Sequence, residues 1–217
     1  FKNKKALIRV DFNVPLNAQF QVTDSTRIVS AKPTIMKVLE DGGSCVLMSH
    51  LGRPESKESA FSLKHIVRTL ETVLGVEVLF SSSCIGEDAQ KFCDNLKPGQ
   101  ILLLENLRYH SDETRGSENF AKELSKLGDF YINDAFGTAH RAHASTTIIA
   151  KFFPENRCFG SLLAQEIESI DKVMQTGEKP VLAILGGAKV SSKITIIDNI
   201  LNKVDHLIIG GGMTFTF

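Results

Sequence analysis

The segment TRIVSAKPTIMKVLEDGGSCVLMSHLGRP, residues 26–54, decides the fold class because it places a helix pattern directly before a strand pattern. An amphipathic stretch covers residues 26–41, and the pair Gly42-Gly43 ends it. A continuous apolar run then covers residues 45–49, without the polar alternation of a strand that has one solvated face. The segment therefore predicts a helix followed by a strand that is covered on both faces.

The same pattern recurs along the chain. Alternating strands and helices imply a parallel sheet with right-handed crossovers, so we predict an α/β fold. The further strands are predicted at residues 6–10, 76–80, 101–105, 130–133, 181–185 and 206–209, and the further helices at 62–74, 87–95, 117–127, 161–175 and 191–204.

A boundary between two lobes is visible near residues 160–180. The segment SLLAQEIESIDKVMQ, residues 161–175, has a helical pattern, and the polar turn TGEKP separates it from the next predicted strand. A long helix followed by a polar turn and a new strand suits a linker between two domains. The alternative is one more crossover helix of a single sheet, and the pattern alone leaves both open.

The composition excludes several classes of protein. Hydrophobic residues make up 42% of the 217 residues and charged residues 23%, which is unlike a disordered chain. No apolar run approaches the roughly 20 residues that cross a bilayer. The 25 Lys and Arg balance the 25 Asp and Glu, whereas a general nucleic-acid binder is usually basic. A bound polyanion would therefore need a local cluster of positive charge.

The cysteines and the chain ends also give expectations. Because Cys45, Cys84, Cys93 and Cys158 form no CxxC pair and no zinc-like spacing, we expect buried structural thiols in a cytoplasmic protein. The sequence begins without an initiator Met and ends just after the glycine run at residues 210–212, where a βα unit opens. We therefore expect a fragment of a longer protein.

Polar residues gather where predicted strands end, which is where open α/β sheets bind their ligands. Half of the eight arginines fall in these connections, and the guanidinium fork binds phosphate or carboxylate bidentately. One such arginine is usually a solvated surface residue, but four at one sheet edge favour a pocket for a small, multiply charged anion. The four are Arg27, Arg53, Arg108 and Arg141, accompanied by Asp11, Asn13 and His50.

Two glycine turns in the C-terminal part also suggest phosphate contact. The turns at residues 186–189 and 210–212 each follow a predicted strand. Backbone N–H groups of such turns can approach a phosphate, although packing explains many of them. Lys189 and Lys193 are four residues apart and share one helix face, which favours phosphate contact. Neither turn matches a Walker A loop or the GxGxxG fingerprint.

The motifs of nucleophilic enzymes are missing from the sequence. It contains no GxSxG elbow, no HExxH and no cysteine with a placed histidine base. The HxxH at residues 140–143 has no accompanying carboxylate-rich motif, so we predict no metal site there. An arginine pocket without a nucleophile suits transfer chemistry that works by positioning and charge stabilisation.

Six motifs together resemble the phosphoglycerate kinase family over the whole chain. They are RVDFNVP (9–15), SHLGRP (49–54), LENLR (104–108), NDAFGTAHRAHAST (133–146), LGGAKVSSKI (185–194) and IIGGGMTFTF (208–217). The resemblance implies a three-layer Rossmann-like parallel-sheet domain followed by the opening βαβ unit of a second. It further implies a phosphoglycerate-binding domain at 1–160, a hinge helix at 161–176 and the start of a nucleotide-binding domain at 177–217.

The resemblance also implies a reaction, which is reversible phosphoryl transfer from 1,3-bisphosphoglycerate to ADP, giving 3-phosphoglycerate and ATP in glycolysis. Mg²⁺ would accompany the nucleotide, with ligands beyond this sequence, and the protein would be a monomer without nucleic-acid or membrane partners. This chain alone is expected to be inactive. Implied catalytic residues are Arg27 and Lys189; implied substrate-binding residues are Asp11, Phe12, Asn13, Arg27, His50, Leu51, Gly52, Arg53, Arg108 and Arg141; implied nucleotide-binding residues are Gly187, Ala188, Lys189, Lys193 and Gly211.

Other functions compete with this interpretation. One is a phospho-acid-binding α/β module without catalysis, although Arg27 and Lys189 favour descent from a working kinase. A nicotinamide-dependent dehydrogenase is disfavoured, because GxGxxG and the acidic residue about 20 positions after it are missing. We expect the stretch between Arg108 and Asp129 to be variable surface without functional weight.

Overall fold

The computed structural model describes residues 1–176, 178–187 and 194–215. The chain divides into two compact units, Phe1–Ala164 and Gln165–Phe217. The division falls inside the helix that the sequence suggests as a linker. Across the described ranges, no helix combines the length and apolar character needed to span a membrane.

The first unit is built on a six-stranded sheet in which every pair of neighbouring strands is parallel. The parallel sheet predicted from the alternating pattern is thus confirmed. The strand order is β3-β4-β2-β1-β5-β6, which puts the first strand of the chain near the centre. The strands are β1 Lys5–Val10, β2 Ser44–Met48, β3 Val78–Ser81, β4 Ile101–Leu104, β5 Phe130–Asp134 and β6 Arg157–Phe159.

Helices follow most of these strands. Residues 62–66, predicted as the start of a helix, instead contain a 3-10 turn at Leu63–Ile66, where the Ser62 hydroxyl accepts a hydrogen bond from the Lys64 amide. Further 3-10 turns occur at Ser59–Phe61, Leu107–Tyr109 and Ile148–Phe152. The helices are α1 Thr26–Glu40, α2 Val67–Leu74, α3 Glu87–Asn95, α4 Ser111–Arg115, α5 Glu118–Ser125, α6 Phe136–Ala139 and α7 Ser161–Thr176.

Apolar layers cover both faces of this sheet. Successive residues of β1 point to opposite faces, so Leu7 packs in one layer with Leu102 and Leu124. Its neighbour Ile8 packs in the other layer with Ile28 of α1. Because both faces are covered, the strands are continuous apolar runs, and the three-layer arrangement follows.

The start of α7 is fixed to the first unit by two side chains. The Thr34 hydroxyl of α1 accepts a hydrogen bond from the Ser161 amide at 2.8 Å, and Asp134 Oδ1 accepts one from the Leu163 amide at 3.1 Å. Gly160 lies so close to Asp134 that a Cβ there would sit 2.3 Å from the carboxyl carbon. The chain therefore needs glycine at the junction between β6 and α7.

The second unit contains a parallel pair of strands, β7 Leu182–Gly186 and β8 His206–Gly210, with α8 Ile194–Leu201 between them in sequence. A 3-10 turn at Gly211–Phe215 follows. These elements make the opening βαβ unit that was predicted. The predicted helix extended to residue 204, but α8 ends at Leu201, and residues 191–193 lie outside the described residues.

Three expectations were wrong. Strand β6 was not predicted, because its residues are few and all exposed. Cys158 lies on this edge strand and is exposed, whereas the other three cysteines are buried as predicted. The stretch between Arg108 and Asp129 was expected to lie at the surface, but it buries Glu113 at 1% exposure; its helix α5 was predicted, at residues 117–127, whereas α4 was not.

Candidate anion-binding site

A pocket of about 310 Å³ lies where β1, β2, β4 and β5 end. The parallel register sets Arg9 beside Met48 and Asn133, so the loops that follow these strands leave the sheet together. The pocket is lined by Asp11, Asn13, Arg27, His50, Gly52, Arg53, Arg108, Gly137, Thr138 and Arg141. Of the residues named from the sequence as substrate-binding, only Phe12 and Leu51 are not among this lining; both are buried in the core.

Arg27, on the first turn of α1, forms an ion pair with Asp11 in the loop after β1. The Arg27 side chain remains 51% exposed, whereas that of Asp11 is 11% exposed. Gly137 of α6 approaches the pair closely, and a Cβ at this position would lie 3.1 Å from Asp11 Oδ2. Asp11 therefore orients a guanidinium that is still accessible to a ligand.

Asn106 joins the loops after β2 and β4. Its amide nitrogen donates to the carbonyl oxygens of Leu51 and Phe61 at 2.7 and 2.8 Å, and its Oδ1 accepts from the amides of Leu51 and Arg108 at 3.2 and 3.0 Å. The residue is fully buried. Asn13 adds a second link, because its Oδ1 accepts a hydrogen bond from the Gly52 amide at 2.8 Å. These bonds fix the backbone that carries Arg53 and Arg108.

Positive charge is in excess around the pocket. Its lining contains four arginines and a single carboxylate, Asp11, which is already paired with Arg27. Burial lowers the pKa of Arg108, and the neighbouring guanidinium of Arg141 lowers it further. Uncompensated guanidinium groups around a concave surface attract a small, multiply charged anion.

His50 lies at the inner wall of the pocket and is 5% exposed. Its Nδ1 atom is 3.2 Å from Nη2 of Arg9, a buried arginine at the end of β1. Burial lowers the pKa of the His50 imidazole to about 2, and the charges of Arg9 and Arg108 act in the same direction. The imidazole is therefore neutral at ordinary pH.

A second, wider cavity of about 590 Å³ continues from the first, sharing Arg53, Arg108 and Arg141 with it. Its wall also includes Tyr109 and hydroxyl groups of α4. Arg53, Arg108 and Arg141 therefore line both cavities.

Several site residues were not found from the sequence. Gly137 and Thr138 line the pocket, and Asn106 fixes its loops. All three lie inside the quoted motifs LENLR and NDAFGTAHRAHAST, so position within a motif was the available signal. Ser145 also lies in the motif NDAFGTAHRAHAST, whereas Glu113 lies in none of the motifs, and their contact joins residues 32 positions apart.

The two glycine turns of the second unit lie next to each other. Met213 donates a backbone hydrogen bond to the carbonyl oxygen of Gly187 at 3.1 Å, and a Cβ on Gly211 would lie 3.1 Å from the same oxygen. Gly211 also has a left-handed φ of +71°, which favours glycine. The other residues named for nucleotide binding, Ala188, Lys189 and Lys193, lie outside the described residues.

The fold and the site together define an α/β protein with a basic, anion-binding pocket at the carboxyl edge of a parallel sheet. The sequence profile described as phosphoglycerate kinase matches residues 1–217. The chain belongs to the phosphoglycerate kinase family.

Individual relatives agree with this assignment. The phosphoglycerate kinase of Moorella thermoacetica is 51% identical and that of Porphyromonas gingivalis 47% identical, with 99% and 100% of this chain covered. The solved phosphoglycerate kinase of Coxiella burnetii matches 99% of the chain with a TM-score of 0.83 and 38% identity, and that of Pyrococcus horikoshii matches 97% with 0.85 and 30%. The chain spans about half the length of these relatives, 54% to 58% of the two curated sequences and 53% to 54% of the two solved chains.

Proposed function

We propose that the first unit binds 3-phosphoglycerate and 1,3-bisphosphoglycerate, and that the whole protein transfers a phosphoryl group between 1,3-bisphosphoglycerate and ADP in glycolysis. The observation that carries this proposal is the set of four pocket arginines facing a single, already paired carboxylate. A phosphoglycerate carries a phosphate at one end and a carboxylate or acyl phosphate at the other, so both of its ends suit a pocket lined by four arginines.

The roles that we propose for the pocket residues come from the resemblance to the phosphoglycerate kinase family, and their place in one pocket supports them. Asp11 and Asn13 contact the hydroxyl and carboxyl end of the ligand. Arg27 has its guanidinium half exposed beside them and reaches the transferring phosphoryl group. The group formed by His50, Arg53, Arg108 and Arg141 holds the phosphate that the reaction does not change.

The chemistry needs no protein nucleophile, because an acyl phosphate is already activated. Catalysis then consists of placing the two substrates and stabilising negative charge on the moving phosphoryl oxygens. Arg27 supplies the stabilising positive charge from the first unit, and we assign the same task to Lys189. The pair Gly187 and Gly211 belongs to the nucleotide site, together with Ala188 and Lys193.

Mg²⁺ accompanies ATP or ADP in this family, but the described residues do not fit a site of their own for it. They contain no group of three or more His, Cys, Asp or Glu side chains that could hold a metal ion. The carboxylate of the pocket, Asp11, is engaged by Arg27. No step through the metal is therefore assigned to these residues. We further propose that the protein acts as a cytoplasmic monomer.

Titration calorimetry of the 217-residue chain with 3-phosphoglycerate tests the proposal. We expect saturable binding that weakens as salt is added, because the contacts are between charges. Inorganic phosphate is the control ligand, and it should bind more weakly because it lacks the carboxylate end. Absence of 3-phosphoglycerate binding by the folded first unit would contradict the assignment.

A coupled ATP assay tests the transfer step. We expect turnover from a chain extended to the length of the relatives, and no measurable turnover from residues 1–217 alone. Binding without turnover in the extended chain would instead favour a phospho-acid-binding module.

A further inference from the structure

Arg9 is a charged residue in the core of the first unit, 1% exposed at the end of β1. A buried guanidinium is costly unless its N–H groups are hydrogen-bonded. Nε of Arg9 donates to the Ser145 hydroxyl at 2.8 Å, Nη1 donates to the Val10 carbonyl, and Nη2 contacts Nδ1 of His50 at 3.2 Å. Each of its three nitrogens therefore has a partner.

Glu113 fixes the Ser145 hydroxyl that Arg9 contacts. The Ser145 hydroxyl donates to Glu113 Oε1 at 2.6 Å, and the Ser145 amide donates to Oε2 at 3.0 Å. The hydroxyl can then only accept from Arg9, because its one hydrogen is used. Glu113 is 1% exposed, so its charge acts in a region with little water. A buried series of contacts thus runs from Glu113 through Ser145 and Arg9 to His50.

The contact between Arg9 and His50 decides where the imidazole proton lies. A guanidinium has only donors, so Nδ1 of His50 must accept and cannot carry a hydrogen. The remaining proton is on Nε2. The charged or titratable groups that act on the ring are Arg9 from β1, Arg27 from α1, Arg108 after β4 and His143 after α6. Arg53 after β2 and Arg141 after α6 also line the pocket, and Asp11, the one carboxylate of its lining, is paired with Arg27.

We propose that Arg9 is a positioning residue for the anion site: it holds His50 as the neutral tautomer protonated on Nε2, so that the ring offers one donor to the ligand. Ser145 and Glu113 in turn hold Arg9. The role toward phosphoglycerate rests on the proposed function, whereas the tautomer is a property of the chain itself. His50 then keeps this single protonation form from pH 5 to 8, the range in which an ordinary histidine titrates.

Nitrogen-15 NMR of ring-labelled histidine tests the tautomer in the ligand-free chain. We expect the His50 signals, assigned by their loss in His50→Gln, to show a proton on Nε2, none on Nδ1, and no titration between pH 5 and 8. A proton on Nδ1, or a titration within this range, would overturn the inference.

Arg9→Met removes the donor, and the exposed Arg68 of α2 provides the matched control, Arg68→Met. We expect Arg9→Met to give His50 a mixed tautomer or a titration, and to raise the Kd for 3-phosphoglycerate about 10- to 100-fold, the value of a hydrogen bond to a charged group. Arg68→Met should change neither. An Arg9→Met chain that is less stable but keeps the tautomer and the Kd would show a merely structural role.

Ser145→Ala serves if Arg9→Met does not fold, since it keeps the guanidinium but removes its fixed partner. We expect the same changes in tautomer and Kd, smaller in size, and unchanged values would overturn the inference. The Kd should rise less in His50→Gln than in His50→Ala, because an amide can accept from Arg9 and donate to the ligand. His50→Ala should bind about 10-fold or more weakly. A parent chain with the expected tautomer that binds no 3-phosphoglycerate would contradict the proposed function instead.

Discussion

Nη1 of Arg108 donates a hydrogen bond of 2.6 Å to the carbonyl oxygen of Gly52, and this bond joins the loop after β4 to the loop after β2. The guanidinium is thereby held across the pocket before any ligand arrives. Pre-ordering of this kind lowers the entropy cost of binding. The bond also makes the backbone conformation at Gly52 part of the site.

We therefore expect Gly52→Ala to damage both stability and binding. Gly52 has a φ of +62°, and a Cβ there would lie 2.3 Å from Cδ1 of Phe61. The matched control is Gly75→Ala, where φ is +74° and nothing lies within 4 Å. Both changes should lower the free energy of unfolding by about 1–2 kcal/mol, because alanine is disfavoured in the left-handed region. Gly52→Ala should lose about 1–3 kcal/mol more through overpacking, measured by urea unfolding, and should bind 3-phosphoglycerate more weakly. Equal losses in the two variants would contradict the role of Phe61.

Arg141 should act mainly on ligand affinity, because we assign it to the unchanged phosphate. Arg141→Ala should raise the Kd of 3-phosphoglycerate about 10- to 100-fold by calorimetry, as expected for a lost charge-assisted contact. The salt dependence of binding should also become shallower. Arg68→Ala provides the control for the loss of one positive charge far from the pocket. In a chain extended to the relatives' length, KM should rise more than kcat falls, and the reverse pattern would remove Arg141 from the binding role.

Arg27 should act mainly on the rate of transfer. In the extended chain we expect Arg27→Ala to lower kcat about 10²- to 10³-fold, as for the loss of a donor to developing negative charge. Arg27→Lys should restore little, since an ammonium group cannot reproduce the two-pronged contact that Asp11 orients. Steady-state kinetics on the three proteins would decide, and full activity of Arg27→Lys would exclude a geometric role.

His50 should make the first unit less stable in acid. Its pKa in the folded chain is lowered to about 2, below the value near 6.5 of an unfolded histidine. The stabilising effect of the neutral ring is therefore complete above about pH 6.5 and decreases as the pH falls toward the folded value. Between about pH 6 and 4.5, the free energy of unfolding should fall by about 1.4 kcal/mol more per pH unit than in His50→Gln. Urea unfolding at several pH values measures this, and parallel curves would contradict it.

The sequence predicted the sheet and most pocket residues because both depend on local patterns. Apolar runs such as residues 101–105 fix strands, and polar residues that directly follow such runs must emerge at one edge of a parallel sheet. Arg53 and Arg108 were found in this way, and both line the pocket.

The supporting residues could not be found by the same means. Glu113 lies in SDETR, a polar segment that was expected to be surface, and its contacts with Ser145 and His143 are far away in the sequence. Arg9 was read only as part of a motif, because nothing in the sequence shows that it meets His50, 41 positions later. Strand β6 was missed for a related reason, since its three exposed residues pair with β5 without any apolar pattern.

The central place of β1 has a consequence for synthesis of the chain on the ribosome. One edge of β1 pairs with β2, but the other pairs with β5, which begins at Phe130. The nascent chain therefore carries an unpaired, apolar strand edge while roughly 120 further residues are added, which takes about 6–24 s at 5–20 residues per second. Such an edge is a template for pairing with other chains. Because β5 is synthesised long after β1, the free edge of β1 is a site at which a chaperone can bind the nascent chain during this interval.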